Sequence, residues 1–409
     1  MPVTAPISFR RIALLLAGLS MFGPFAIDAV FPAFPRIGSD FAVDKVALQQ
    51  IISVYLLTYA VMSLFHGALS DALGRKRVIV GGLVVFIGAS IGCALAPDMP
   101  SLLFFRALQG MSAGVGYIIG RAVIRDLYQD DDAQRLMSQV SMIFSIAPAI
   151  APIIGGWILG WGDWHLIFWF LVAFSSVLLV ITMVWLPETH PVQARLPLRP
   201  LPLARDYLAI AGNANFLRLA GAGALSFGGL FLYIASAPAF VIDLLGKGEQ
   251  DFAWLFVPTI AGMTLGAWFS GRSAGRLSGD RAIAIGFSVL ALSIVWNVGY
   301  HSLVEQPRAP WAVINLPLHA FGTAVIFPVL SLRILDMYPR QRGSASSMQA
   351  FSVLVTNTVV AGVLSPLVSH SGLALALMAA AFIAAGALLW WLQARSTLRS
   401  GKSVSDQGQ

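Results

Sequence analysis

Gly67-Ala68-Leu69-Ser70-Asp71-Ala72-Leu73-Gly74-Arg75-Lys76-Arg77 lies between two apolar runs, each long enough to cross a membrane. Two glycines permit a tight turn and close backbone approach, and Asp71 can accept from neighbouring amides. Three successive cations belong on the cytoplasmic side of a bilayer. A short charged hairpin of this kind makes lipid the relevant solvent.

Composition agrees. The chain has 409 residues, of which 57% are hydrophobic and 11% charged; that is too apolar for the water-facing surface of a soluble domain. Helices and closed barrels are the structures that satisfy every backbone polar group in hydrocarbon, and strand alternation is absent, so the expectation is all-α. Working outward from the hairpin, apolar stretches of about 20 residues fall near 12–34, 48–69, 78–96, 101–123, 136–159, 165–186, 216–240, 252–271, 281–300, 310–332, 345–368 and 371–394, twelve spans in all. With a cytoplasmic N-terminus, 21 of the 26 Lys and Arg fall in inner segments, against Arg36, Lys45, Lys247 and Arg308 outside and Arg106 within a span. That bias puts both termini in the cytoplasm.

The net charge of +7 therefore reports topology, and no basic and aromatic patch points to nucleic acid. Cys93 is the only cysteine, which excludes disulfides and thiolate metal clusters and reads as a small packing residue. The first span follows Arg10 and Arg11 but lacks a small-residue cleavage site, so it is read as retained. The six histidines, at 66, 165, 190, 301, 319 and 370, show no close metal-ligand spacing, and no phosphate-binding loop is present. Neither a metal nor a cofactor is expected, and neither an enzyme nor an ATP-driven pump.

Five prolines between 187 and 213 mark the longest polar interruption. The expected organisation is a six-helix bundle over 1–186, a cytoplasmic linker at 187–213, a second six-helix bundle over 214–394 and a tail at 395–409. Gly271-Arg272-Ser273-Ala274-Gly275-Arg276 occupies the place in the second half that the opening hairpin holds in the first, without its aspartate. Two bundles built as a repeat face a central cavity.

Charge inside lipid marks function by default, because a carboxylate there costs about 2.5–3.5 kcal/mol on insertion scales. Asp28 alone among the 19 acidic residues sits well inside an apolar span. Desolvation favours its protonated form, so it is a candidate proton carrier; the other reading is a carboxylate paired with a cation to fix helix packing. Arg106 is the obvious partner, since at about 1.5 Å per residue Asp28 lies roughly 9 Å and Arg106 roughly 8 Å below the outer ends of their spans.

The hairpin resembles the loop joining the second and third helices of major facilitator transporters. Arg106-Ala107-Leu108-Gln109-Gly110 resembles the fourth-helix motif of the drug exporters in that superfamily, followed by Arg121-Ala122-Val123-Ile124-Arg125-Asp126. Ala147-Pro148-Ala149-Ile150-Ala151-Pro152-Ile153-Ile154-Gly155-Gly156 is similar to the fifth-helix motif of exporters that exchange substrate for protons, with Ala151 where a glycine is usual. Read from the residues alone, Pro148, Pro152, Gly155 and Gly156 form a helix-packing motif. Together these stretches resemble the bicyclomycin and chloramphenicol resistance branch of drug/proton antiporters. The resemblance implies a proton-driven exporter of small drugs or toxic molecules, working by alternating access. It implies proton coupling through Asp28 and Arg106, and a conformational latch of Gly67, Asp71, Gly74, Arg75 and Asp126, with Asp71 reaching toward Gly343 and Ser344. The absence of disulfides, the cytoplasmic N-terminus and the basic inner loops fit a bacterial inner membrane, and a monomer is expected.

Polar or aromatic groups within lipid-length runs supply the candidates for substrate contact: Tyr55, Tyr59, Gln109, Tyr117, Arg121, Tyr233 and Asn357, with Asn315, His319 and Gln349 beside them. Each reads equally well as glue between helices. The rival function is a facilitator or proton symporter importing a small nutrient or metabolite on the same fold; the fifth-helix motif and the lack of further buried acidic groups stand against it.

Overall fold

The computed structural model describes residues 9–128, 130–195, 198–273, 276–339 and 341–406. Of the sequence features above, Ala274 and Gly275 of the second-half echo and the inner cation Arg340 lie outside them. So do the side chains of Arg135, Ala149, Arg399 and Lys402. Among the described residues all regular structure is helical, and eleven helices are long and apolar enough to cross a membrane.

In the first half the spans are Phe9–Asp28, Lys45–Leu73, Arg75–Ala94, Met99–Ala113 continued by Gly120–Leu127, Asp130–Trp161 and His165–Trp185. In the second they are Ala214–Ala235, Ala253–Ser273, Gly279–Leu303, Asn315–Met337, Arg342–Val359 continued to Val368, and Gly372–Asp406. The fifth helix begins with the polar run Asp130-Asp131-Asp132 and includes the apolar stretch Ile150–Trp161. The expected span at 136–159 is thus one long helix whose first turns are polar.

Local chemistry explains where spans begin. Asp44 accepts from the Ala47 amide at 2.8 Å, Asp98 from the Ser101 amide at 2.9 Å and Asn213 from the Asn215 amide at 2.9 Å, each satisfying an otherwise orphaned N–H at a helix start. The Ser101 hydrogen bonds also hold the Asp98 carboxyl below the usual carboxylate range. Where the sequence suggests an unbroken first span, the helix ends at Asp28. A tighter turn at Phe31–Ala33 and the short helix Phe34–Asp40 follow, because Pro32 and Pro35 cannot donate to the ladder.

Two compact units result. One comprises the chain up to Arg199 together with Gly246–Phe256; the other comprises Pro200–Leu245 and the chain from Val257 onward. Within the first unit the first span packs on the fifth and sixth, the second on the fourth, and the third on the fourth and sixth. Within the second unit the seventh packs on the eleventh and twelfth, and the ninth on the tenth and twelfth. The eighth meets the tenth at Gly262 and Gly266, whose absent side chains admit the Pro317 and Phe321 backbones. Adding six to each span of the first pattern gives the second, so one packing scheme is used twice. The interruption between 187 and 213 is itself partly helical, at Pro200–Ala211, and Gln341 donates to Asp206 at 2.9 Å from the start of the eleventh span.

Candidate functional site

Arg106 organises the helix ends around it in the first unit. It is fully buried. Its Nε donates to the Ile51 carbonyl of the second span at 3.0 Å, and its Nη1 to the Ala26 carbonyl of the first span at 2.8 Å and to Gln109 Oε1 at 2.8 Å. Its guanidinium stands 4.5 Å from the centre of the Tyr55 ring, within the range where a cation is attracted to an aromatic face. Nη2 is left without a partner. One arginine therefore ties three structural levels together: the first span through Ala26, the second through Ile51 and Tyr55, and its own helix through Gln109.

The polar chain continues from Gln109, which is fully buried and donates through Nε2 to Ser90 Oγ of the third span at 2.7 Å; Cys93 Sγ is 3.7 Å from its Oε1. Tyr55 donates its hydroxyl to the Gly23 carbonyl at 3.0 Å, and its ring meets that of Tyr59 edge-on at 6.4 Å. Gln109 and Tyr55 thus spend their polar groups on neighbouring helices. Tyr59 and Tyr117 are half-buried, while Arg121 is exposed and lies 5.8 Å from the Tyr117 ring. Those last three are the candidates for substrate contact in this unit whose surfaces remain reachable.

Asp28 is 4% exposed. Among the described residues no hydrogen bond or ion pair joins it to Arg106, although Arg106 is bonded to the carbonyl two residues before it. The carboxyl is therefore buried without an ion-pair partner among the described residues. Packed on the same turn is the fifth-helix motif: a side chain at Gly155 would collide with the Ala29 backbone, and one at Gly156 with the backbone of Glu249 and Gln250. The helix runs unbroken through Pro148 and Pro152. Glu249 is fastened to Arg36, whose Nη2 donates to Oε2 at 2.8 Å while Nη1 donates to the Gly162 carbonyl at 2.8 Å; this clamp ties Gly246–Phe256 to the rest of the first unit.

At the hairpin, Gly74 adopts φ +103°, a conformation that residues with a side chain rarely adopt. The turn delivers Arg75 into a set of acceptors. Its Nε donates to Asp126 Oδ2 at 3.1 Å, its Nη1 to Ser70 Oγ at 2.6 Å and to Asp71 Oδ1, and its backbone amide to Glu188 Oε1 at 2.8 Å. Thr189 adds a bond to Asp126 at 2.9 Å, and Lys76 caps the sixth span by donating to the Met183 carbonyl at 2.8 Å. Ser70, Glu188 and Thr189 escape a reading of the sequence. The only signal for the last two is that Pro187-Glu188-Thr189 follows the end of the sixth span directly.

In the second unit Tyr233 is fully buried and accepts from the Asn297 amide at 2.8 Å. Asn315 lies beside the Tyr233 hydroxyl outside hydrogen-bonding geometry, and neither atom of its amide has a partner. His319 Nε2 donates to the Ser226 carbonyl at 3.0 Å, Gln349 donates to Ser331 at 2.7 Å, and Asn357 is 4% exposed with Oδ1 unpartnered. Widened, π-helical turns occur at Val115–Ile119, Ala239–Leu244 and Val360–Leu364. The first contains Tyr117, and the third begins three residues after Asn357, so helix geometry is irregular where two candidates sit.

The Major Facilitator Superfamily model matches residues 13–307, most of the chain. The chain belongs to this superfamily. Its relatives include the bicyclomycin resistance protein homolog of Haemophilus influenzae, 27% identical over 335 residues that span 82% of this chain and 84% of that one. Multidrug resistance protein D of Escherichia coli is 28% identical over 343 residues, covering 83% and 84% respectively. Among solved structures, a bacterial homolog of the human lysosomal transporter Spinster superposes with a TM-score of 0.74 at 17% identity, covering 97% of this chain and 99% of that one, a likeness of fold. The protein is thus a multi-pass membrane protein of a transporter superfamily.

Proposed function

We propose that this major facilitator protein is a proton-coupled antiporter that exports small drug-like or toxic molecules by alternating access. The observation that carries the reading is the state of Asp28: a carboxyl buried in a lipid-length span, unneutralised by the described residues, two residues past the carbonyl that the buried Arg106 binds, and next to Ala29, whose backbone meets the fifth-helix Gly155. A group in that position changes charge when its surroundings gain or lose water, and nothing structural consumes it. Arg106, locked by three hydrogen bonds, supplies a stationary positive field against which the change of charge acts. Names of the relatives direct the reading toward drugs: bicyclomycin resistance and multidrug resistance are what those proteins are called.

In this reading Tyr59, Tyr117 and Arg121 of the first unit and Asn357 of the second contact substrate, whereas Tyr55, Gln109 and Tyr233 hold the helices that present them. The Arg75 cluster with Asp71 and Asp126 is the latch, and the turn at Gly74 sets its geometry. The protein resides in a bacterial inner membrane with both termini cytoplasmic, as a monomer with protons, small molecules and lipid as its partners. Expression in a drug-sensitive bacterium lacking its own exporters tests direction. Lower steady-state accumulation of ethidium or chloramphenicol than in vector controls, abolished by a protonophore, is the expected result. Higher accumulation that also needs the proton gradient points to a symporter instead.

A further inference from the structure

We propose that the second unit carries a binding site for one anionic phospholipid, with an acyl chain lying in a groove between the eighth, ninth and tenth spans and its headgroup held by Arg272, Arg276 and Arg281. The groove has a volume of about 260 Å³ and is lined wholly by apolar groups: Gly262, Leu265, Val289, Pro317, Leu318 and Phe321. It exists because Gly262 lets the eighth span press its backbone against Pro317, leaving Leu265 and Val289 as walls on either side of the tenth span. Leu265 is 58% exposed and Trp268 63%. On a membrane-spanning helix, the exposure of Leu265 is contact with lipid tails.

Charge decides which lipid. Gly262, Leu265, Phe269 and Arg272 are spaced by three, four and three residues and share one helix face, so the wall of the groove leads to a guanidinium. At about 1.5 Å per residue Arg272 stands roughly 10 Å along the axis from Leu265, and Arg281 roughly 12 Å from Val289, the offset between a headgroup and the middle of its upper chain. Arg272, Arg276 and Arg281 are exposed, and among the described residues none has an ion-pair partner. Asp280, the one acid in that turn, is occupied by Arg333 at 2.7 Å. Arg272 also lies 5.9 Å from the Trp268 ring, which holds its cation at the level where an aromatic belt meets headgroups. A cation cluster with no protein counterion, at the end of an apolar slot, is matched by a negatively charged headgroup on an acyl chain. A neutral apolar solute would fill the slot and ignore the arginines.

Purified full-length protein in detergent, titrated with phosphatidylglycerol or phosphatidylcholine and read by native mass spectrometry, tests this. The expected result is a first lipid-binding event preferring phosphatidylglycerol by about tenfold or more. In Arg272→Gln/Arg276→Gln the preference falls to that of phosphatidylcholine, in Val289→Phe both lipids lose the first event, and Arg77→Gln, which removes a cation from the other hairpin, changes neither. Thermal unfolding without lipid confirms that each variant is folded. Equal binding of the two lipids by the native chain, a preference that survives the double variant, or a loss just as large in Arg77→Gln would overturn the proposal.

Discussion

A fully buried guanidinium surrounded by neutral groups is an expensive object, and Arg106 shows how the chain makes it tolerable. Two backbone carbonyls and an amide oxygen take three of its N–H groups and the Tyr55 face takes its charge, so the ion is solvated by fixed dipoles rather than by a carboxylate. A partnering carboxylate would hold both groups in one charge state; Asp28 stands outside these bonds, as the proposed proton coupling requires. Lysine carries the same charge but not the planar fork, and Arg106→Lys is expected to forfeit at least two of these bonds, about 3 kcal/mol at roughly 1.5 kcal/mol each. The check is the thermal midpoint of purified protein, which should fall together with a tenfold or greater loss of efflux; unchanged stability would mean that the network is incidental. Asp28 and Arg106 were legible in the sequence because a charge in a lipid-length run has no bland environment to hide in. Gln109 was legible as polar but not as the link between Arg106 and Ser90, since helical periodicity says which face a residue occupies and not which neighbour lies opposite. Glu188 was invisible for the same reason: its bond to the Arg75 amide spans 113 positions of sequence.

At the scale of elements, backbone approach is set by glycine. Gly116 faces the Leu19 carbonyl, Gly110 the Tyr55 carbonyl and Gly155 the Ala29 carbonyl, each at a distance that leaves no room for a Cβ. In an exposed helix interior, Gly→Ala stabilises by about 0.5–1 kcal/mol, whereas overpacking costs about 1–3 kcal/mol, so the sign of the change reports which term rules. Gly116→Ala should lower the thermal midpoint and Gly88→Ala, with nothing within 4 Å of its would-be side chain, should leave it unchanged or raise it. Equal shifts in the two variants would remove the packing role. Helix existence and type were readable from apolar length alone, and the ends moved by a few residues because capping by Asp44, Asp98 and Asn213 depends on side-chain geometry. The break after Asp28 was foreshadowed by Pro32 and Pro35, but lipid-length apolarity concealed it. The polar first turns of Asp130–Trp161 likewise hid how far that helix extends.

Over the whole molecule, one scheme of helix contacts is laid down twice, and the two copies carry different chemistry. The first unit holds the buried Asp28 and Arg106 and the hairpin cluster; the second holds the buried polar groups Tyr233, Asn297 and Asn315. Sequence foretold the repetition through the span count and the weak echo at Gly271–Arg276, but not this division of labour, because a neutral amide in an apolar run looks the same whether it packs or binds. The clamp of Arg36 on Glu249 was also beyond it: both are ordinary loop charges until the chain brings them to 2.8 Å. Coupling of a proton to export through Asp28 is the central claim, and everted membrane vesicles with an imposed acid interior test it most directly. Adding ethidium, chloramphenicol or bicyclomycin while the pH gradient is recorded should release protons from vesicles holding the native chain, and should release none above background from vesicles holding equal amounts of Asp28→Asn. Compound-dependent release of the same size in both would contradict the account.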